Sequence, residues 1–136
     1  MKKIILCTLL FSAVILTSCS NDDYDFVQNK NKVDCNVGTS SSNSSLAICL
    51  TATERAMPNE ILSVASKVNQ NNGIPTWTVE SGSMKVVNVK TVSDDGQTLS
   101  IASIRFKEDF KGGSVSCSFS TTIGIAKSFS TIEQEM

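Results

Sequence analysis

The chain has 136 residues, 18% of them charged, with 12 basic against 13 acidic side chains and no histidine. That length points to one domain able to bury an ordinary core. A net charge of −1 leaves no basic stripe for nucleic acid, and the missing histidine removes Ser-His-Asp and Cys-His pairs, a histidine base and histidine metal ligands.

Residues Met1 to Cys19 have the three parts of a secretory signal. Lys2 and Lys3 are the positive n-region, Ile4 to Leu16 an almost unbroken apolar run, and Thr17-Ser18 a small-residue cleavage box. The apolar run is too short for a membrane-spanning helix, which needs ~20 residues. Leu16-Thr17-Ser18-Cys19 resembles the lipobox of bacterial lipoproteins. The resemblance implies cleavage after Ser18 and diacylation of Cys19, which becomes the first residue of the mature chain. Residues 1–18 are then a signal peptide, and losing Lys2 and Lys3 leaves 10 basic against 13 acidic side chains. Residues 19–32 are expected to be the lipidated cysteine and its tether. Ser20-Asn21-Asp22-Asp23-Tyr24-Asp25 resembles the signal that sends Bacteroidetes-type lipoproteins to the outer face of the outer membrane. By charge alone it is a solvated spacer repelled from anionic headgroups. Asn21 to Lys32 has no periodicity, as expected of a flexible segment.

From Val33 onward, short apolar runs of period two alternate with Gly, Asn, Asp and Ser clusters. Val33 to Val37 alternates as a strand, Gly38 to Ser45 is a Ser-rich turn, and Leu46 to Thr53 is a second strand. Ile61, Val64, Ala65 and Val68 have helical spacing, yet Leu62, Val64 and Val68 also fit a strand face; the context favours a strand, with a short helix over 59–70 as the alternative. Thr76 to Glu80 and Met84 to Val92 are expected to pair around Ser81-Gly82-Ser83. Ser93-Asp94-Asp95-Gly96 is a tight hairpin turn, because Asp-Gly tolerates positive φ. Thr98 to Phe106 follows with an expected bulge, since Leu99 and Ile101 are out of phase with Ile104 and Phe106. Lys107 to Gly113 is a turn. Val115, Cys117 and Phe119 then alternate with Ser114, Ser116, Ser118 and Ser120, and Gly124 to Ile132 is the last strand.

About seven strands at hairpin spacing over residues 33–136 predict an all-β fold, a single antiparallel β-sandwich. Pro75-Thr76-Trp77-Thr78-Val79-Glu80-Ser81-Gly82 resembles the Trp-bearing strand of bacterial immunoglobulin-like and PKD-like domains. Ile104-Arg105-Phe106, Phe110, Gly112-Gly113 and Val115-Ser116-Cys117-Ser118-Phe119 resemble their later strands and corner. The resemblance covers Pro75 to Ile132 and implies an immunoglobulin-like sandwich. Two features depart from it: Val115 stands where those domains have a tyrosine, and Cys49 lies farther from Trp77 than their spacing. A fold of this kind implies no chemistry by itself.

Of five cysteines, Cys7 lies in the signal and Cys19 in the lipobox, leaving Cys35, Cys49 and Cys117 in a compartment that permits disulfides. A hairpin centred on Ser42 places Cys35 opposite Cys49, at a separation that suits a disulfide, with Cys117 then a buried thiol. The immunoglobulin resemblance implies instead a Cys49–Cys117 bridge packed on Trp77, and a chain without any bridge is the third alternative. Trp77 is in phase with Val79 and is read, with Cys117, as a core residue. Phe110, in a charged turn, either plugs the end of the sandwich or stays exposed as a contact anchor.

No catalytic constellation stands out. A reactive thiol needs a cationic or basic neighbour, and the cysteines lack the paired spacing of zinc sites. Asp94-Asp95 and Glu108-Asp109 are adjacent acids in turns, which are ordinarily solvated. No G-x-S-x-G, S-x-x-K or phosphate-binding loop occurs. No metal, cofactor or catalytic residue is therefore expected.

The sequence thus predicts a non-enzymatic, monomeric lipoprotein, held on the outer membrane through Cys19 and displaying a binding or adhesion module to a protein or glycan. The sandwich loops Ala56–Asn59, Asn69–Gly73, Ser93–Gly96 and Lys107–Gly113 are its default contact surfaces. Two other classes are weighed beside it: an envelope accessory protein, such as an enzyme inhibitor or assembly subunit, acting through a sheet edge, and a small hydrolase using carboxylates. Cys19→Ala is expected to shift the protein from the membrane to the soluble fraction. A variant still needing detergent for extraction refutes lipidation there.

Overall fold

Alternation of side chains across the backbone, rather than helical spacing, governs the chain from Leu46 onward. In the computed structural model, residues 30–37 and 45–136 are described; the expected signal, Cys19, the acidic run and most of the Ser-rich turn lie outside them. Eight strands form: β1 (Ile48–Thr51), β2 (Arg55–Ala56), β3 (Ile61–Val68), β4 (Ile74–Ser81), β5 (Met84–Asp94), β6 (Gln97–Phe106), β7 (Gly112–Thr121) and β8 (Gly124–Gln134). They make a first sheet of order β1-β3-β6-β5 and a second of order β2-β8-β7-β4. All pairs are antiparallel except the short parallel contact of β2 with β8. The fold is a β-sandwich, and Ile61 to Val68 is a strand of it.

Directly opposed residues share a face, so the registers identify the inward set. β3 sends Leu62, Val64 and Val68 inward, β6 sends Ala102, Ile104 and Phe106, and β7 sends Val115, Cys117 and Phe119, all buried. Phe110 plugs the end of the sandwich: it is fully buried, edge-on to Phe106 with ring centroids 4.8 Å apart. Each such side chain contributes roughly 1.5–3 kcal/mol by leaving water. Trp77 is less enclosed than expected. It packs against both halves of the core but is only half-buried, because β4 is the edge of its sheet.

Two expectations about strand geometry are corrected. The bulge lies in β5, between Val86 and Asn88, and not in β6, whose register with β3 is unbroken. β6 stays regular by turning Thr98 and Ser100 inward and Leu99 and Ile101 outward. Buried hydroxyls are tolerated when bonded, and these are. Thr98 Oγ1 donates to the Gln70 carbonyl (2.7 Å) and accepts from Gly73 N (3.0 Å), while Ser100 Oγ accepts the Trp77 indole N–H (2.9 Å).

The second correction concerns Ser81-Gly82-Ser83. β4 and β5 do not pair; they belong to different sheets, and this corner carries the chain between them. Gly82 has φ +89°, and a Cβ there meets the Gly112 carbonyl oxygen at 2.4 Å. A Cβ on Gly113 meets the Ser81 carbonyl oxygen at 2.3 Å. A hairpin between β4 and β5 is excluded by this backbone-to-backbone contact. The Asp95-Gly96 turn, by contrast, forms where expected: both residues have positive φ, as a two-residue hairpin of type I′ requires.

Gly82→Ala is expected to destabilise the fold by roughly 3 kcal/mol or more, since backbone strain adds to the steric clash. Gly96→Ala, with φ +77° but nothing within 4 Å of the new Cβ, costs about 1–2 kcal/mol. Urea unfolding measures both; equal losses would mean that the corner accommodates a side chain.

Candidate functional site

Two surfaces are built with more than solvation in view. The first is a strap on the outward face of the first sheet. Cys35 and Cys49 are joined by a disulfide, with Cα atoms 6.0 Å apart, but not through a hairpin. Residues 33–37 form no strand, and β1 pairs with β3 instead. The neighbouring residue, Asp34, reaches Lys67 Nζ at 2.6 Å, and Lys67 is the β3 partner of Cys49. Consecutive strap residues therefore grip both members of one ladder rung.

The strap begins within the expected tether. Lys32 N donates to the Ser63 carbonyl (2.7 Å), and Ser63 N to Asn31 Oδ1 (2.7 Å). Lys30 pairs with Glu60 (3.3 Å) and with Glu135. Residues 30–32 are thus part of the body: their backbone and side chains satisfy the β3 edge just beyond the end of β1. Burial opposes the charge of Lys30, but hydrogen bonds to Glu135 and Glu60 outweigh it and hold its pKa above the ordinary lysine value. The hydrogen bond from Lys67 holds the Asp34 carboxyl below its usual range.

Cys117 is free and fully buried, directly opposite Trp77 on the inward face of the second sheet. The Cys49–Cys117 alternative is not formed. Burial pushes the Cys117 thiol up to about 11, so it is protonated at neutral pH and acts as a small apolar core residue.

The second surface is the outward face of the second sheet. Alternation sends Ser114, Ser116, Ser118 and Ser120 of β7 outward in a central column of hydroxyls. β4 contributes Ile74, Thr76 and Thr78 on one side, and β8 contributes Ile125, Lys127, Phe129 and Thr131 on the other. The rungs read Ile74-Ser120-Ile125, Thr76-Ser118-Lys127 and Thr78-Ser116-Phe129. Ile125 is 75% exposed and Phe129 74%. Glu80 crosses this face, accepting from Ser116 Oγ and pairing with Lys127 Nζ at 2.7 Å. Those two hydrogen bonds, Lys127 first, hold the Glu80 carboxyl below its usual range. Such a face offers hydroxyls, one fixed ion pair and three bare apolar side chains, since Ile74 is 67% exposed as well.

Sequence reasoning singled out the loops and did not single out this face. The signal lay in the last strand: Lys127 sits in phase with Ile125 and Phe129, marking their side as the outward one, while Ala126 and Ile132 carry the core. Among the described residues, no cluster of His, Cys, Asp and Glu is arranged to hold a metal ion. The carboxylates shifted from their ordinary values, Asp34, Glu80 and Asp109, are all shifted down, the direction opposite to that of a general acid at neutral pH.

Breaking the strap should be measurable in two ways. Cys35→Ser is expected to cost about 2–4 kcal/mol, the range for a disulfide closing a short loop, with a lower thermal midpoint as the readout. In that variant the Asp34–Lys67 pair remains as the side-chain link between the strap and the Cys49 rung. Its contribution is complete above the ordinary aspartate pKa and fades as pH falls through the lowered folded value. The protection factor of the Lys32 amide in Cys35→Ser, taken against the intrinsic exchange rate at each pH, should fall across that acid range; an unchanged factor would deny the ion pair a role.

Compared with known proteins, the chain matches no protein-family model and no curated protein.

Proposed function

We propose that this protein is a non-enzymatic envelope lipoprotein whose sandwich is a binding module of immunoglobulin-like type. Its lipid anchor is Cys19, at the outer membrane, and its ligand is a protein or glycan outside the cell. The observation that carries the binding role is the outward face of the second sheet, where Phe129 and Ile125 stand bare above a column of serine and threonine hydroxyls. Large exposed apolar side chains grouped on a polar-rimmed surface mark contact sites, and an aromatic ring combines wide contact area with little entropy loss. The anchor rests on the lipobox, and outward display on the acidic run behind it.

The test uses intact cells and the full chain. Protease applied outside the cells should remove the sandwich; survival while other surface proteins are lost contradicts outward display. A glycan array and immobilised extracellular proteins then serve as probes. Phe129→Ala should weaken whatever binding is found by about tenfold or more, with an unchanged melting temperature because the ring is outside the core. Binding insensitive to Phe129 would place the contact surface elsewhere. The accessory reading, in which a sheet edge receives another chain, is favoured by the unpaired edge of β8.

A further inference from the structure

A sandwich of two open sheets has four edges, and three of these are defended. β1 is only four residues long, and the strap beside it is fixed by the Cys35–Cys49 bond. β4 carries Pro75 and an irregularity between Val79 and Ser81. β5 is bulged between Val86 and Asn88 and bears Lys85 and Lys90. Short length, proline, bulges and lysines are the standard means of keeping an edge from pairing. β8 has none of these except Lys127, whose charge is engaged by Glu80.

The β8 edge is also long. β2 pairs with it only at Glu133 and Gln134, so among the described residues no strand is hydrogen-bonded to Gly124–Ile132 from that side, although β1 of the other sheet runs close by it. The direction of its free groups follows from that contact. Glu133 N donates to the Glu54 carbonyl and Glu135 N to the Ala56 carbonyl, so odd-numbered residues point their backbone groups away from β7. Ile125, Lys127, Phe129 and Thr131 therefore present both N–H and C=O along the open edge, with their side chains outward.

We infer that this edge pairs with the same edge of a second copy, β8 to β8 in antiparallel register about a two-fold axis at Ser128. The open stretch is symmetric about that residue, since β2 blocks it beyond Ile132 and the hairpin turn begins before Gly124. In this register Lys127 lies opposite Phe129 of the other copy, and Ile125 opposite Thr131. All four odd residues form hydrogen-bonded pairs, in which both backbone bonds are exchanged. No like charges face each other. The lysine lies beside an aromatic ring, a favourable pair when the cation approaches the ring face. A register centred on Phe129 is poorer, because it sets Ile125 against Glu133, whose N–H is already taken by Glu54. An isologous contact of this kind closes on itself as a dimer. It departs from the monomeric state expected from the sequence.

The full chain in density-matched detergent, followed by sedimentation equilibrium, should show a monomer–dimer equilibrium. Lys127→Pro removes one outward N–H without touching a bond to β7, a substitution that edge strands accept. It should give a monomer with unchanged circular dichroism, and it leaves Phe129 in place, so failure here is separable from failure of the ligand reading. In a Cys117→Ala background, needed because Cys117 lies opposite Ser128, Ser128→Cys should cross-link two chains on oxidation. The expected symmetric pair is a close, non-hydrogen-bonded one. Cross-linking must exceed that of the background chain; Lys127→Cys, which does not face itself, should cross-link less. A monomer at every concentration overturns the inference. So does a dimer that survives Lys127→Pro, or capture of a different envelope protein on this edge by a monomeric wild type.

Discussion

Gly82 and Gly113 bring two backbones together with no room for a side chain on either, and the assignment of strands to sheets depends on that meeting. Because the chain turns there from the second sheet into the first, β5 becomes an edge of one sheet and β4 an edge of the other. The inward faces of β6 and β7 can then oppose each other with Phe106, Phe110, Phe119 and Ile104 between them. Had Ser81-Gly82-Ser83 been an ordinary hairpin, β5 would have extended the second sheet and left β6 without its outer neighbour.

The core, mostly apolar, also encloses a few polar groups. Thr98, Ser100 and Ser66 are fully buried, and each has a partner: Gln70 and Gly73, Trp77, and the Cys49 carbonyl respectively. The Trp77–Ser100 bond ties the two sheets together across the sandwich. Leaving any of these donors or acceptors unpaired would cost more than the bond contributes when made, so they narrow the ways in which the sheets can slide against each other.

Much of this was legible from alternation alone. The Asp95-Gly96 hairpin and the Val115-Cys117-Phe119 inward face follow from patterns of five to eight residues, whereas at Ile61–Val68 helical and strand spacing compete and only the neighbouring strands favour one. What was not legible depended on distant partners. The period-two rule read Leu99 and Ile101 as inward because it cannot know that Thr98 and Ser100 find hydrogen bonds from Gln70, Gly73 and Trp77. The corner at Gly82 looked like a turn because the carbonyl it must avoid belongs to Gly112. A hairpin centred on Ser42 would set Cys35 opposite Cys49, whereas the strap reaches the same pairing from the outward face. The expectation of loops as contact surfaces rests on where turns lie; which sheet face is left open depends on strand partners that the sequence does not display.

The strap also has a mechanical meaning. A chain held at its N-terminal end and pulled from the other side takes load first at Lys30, through Glu60 and Glu135, and next at Cys35. There the covalent bond passes the force directly into β1, bypassing the fourteen-residue separation between the two cysteines. A pull applied ahead of Lys30 is thus delivered along the first sheet by a bond that does not yield.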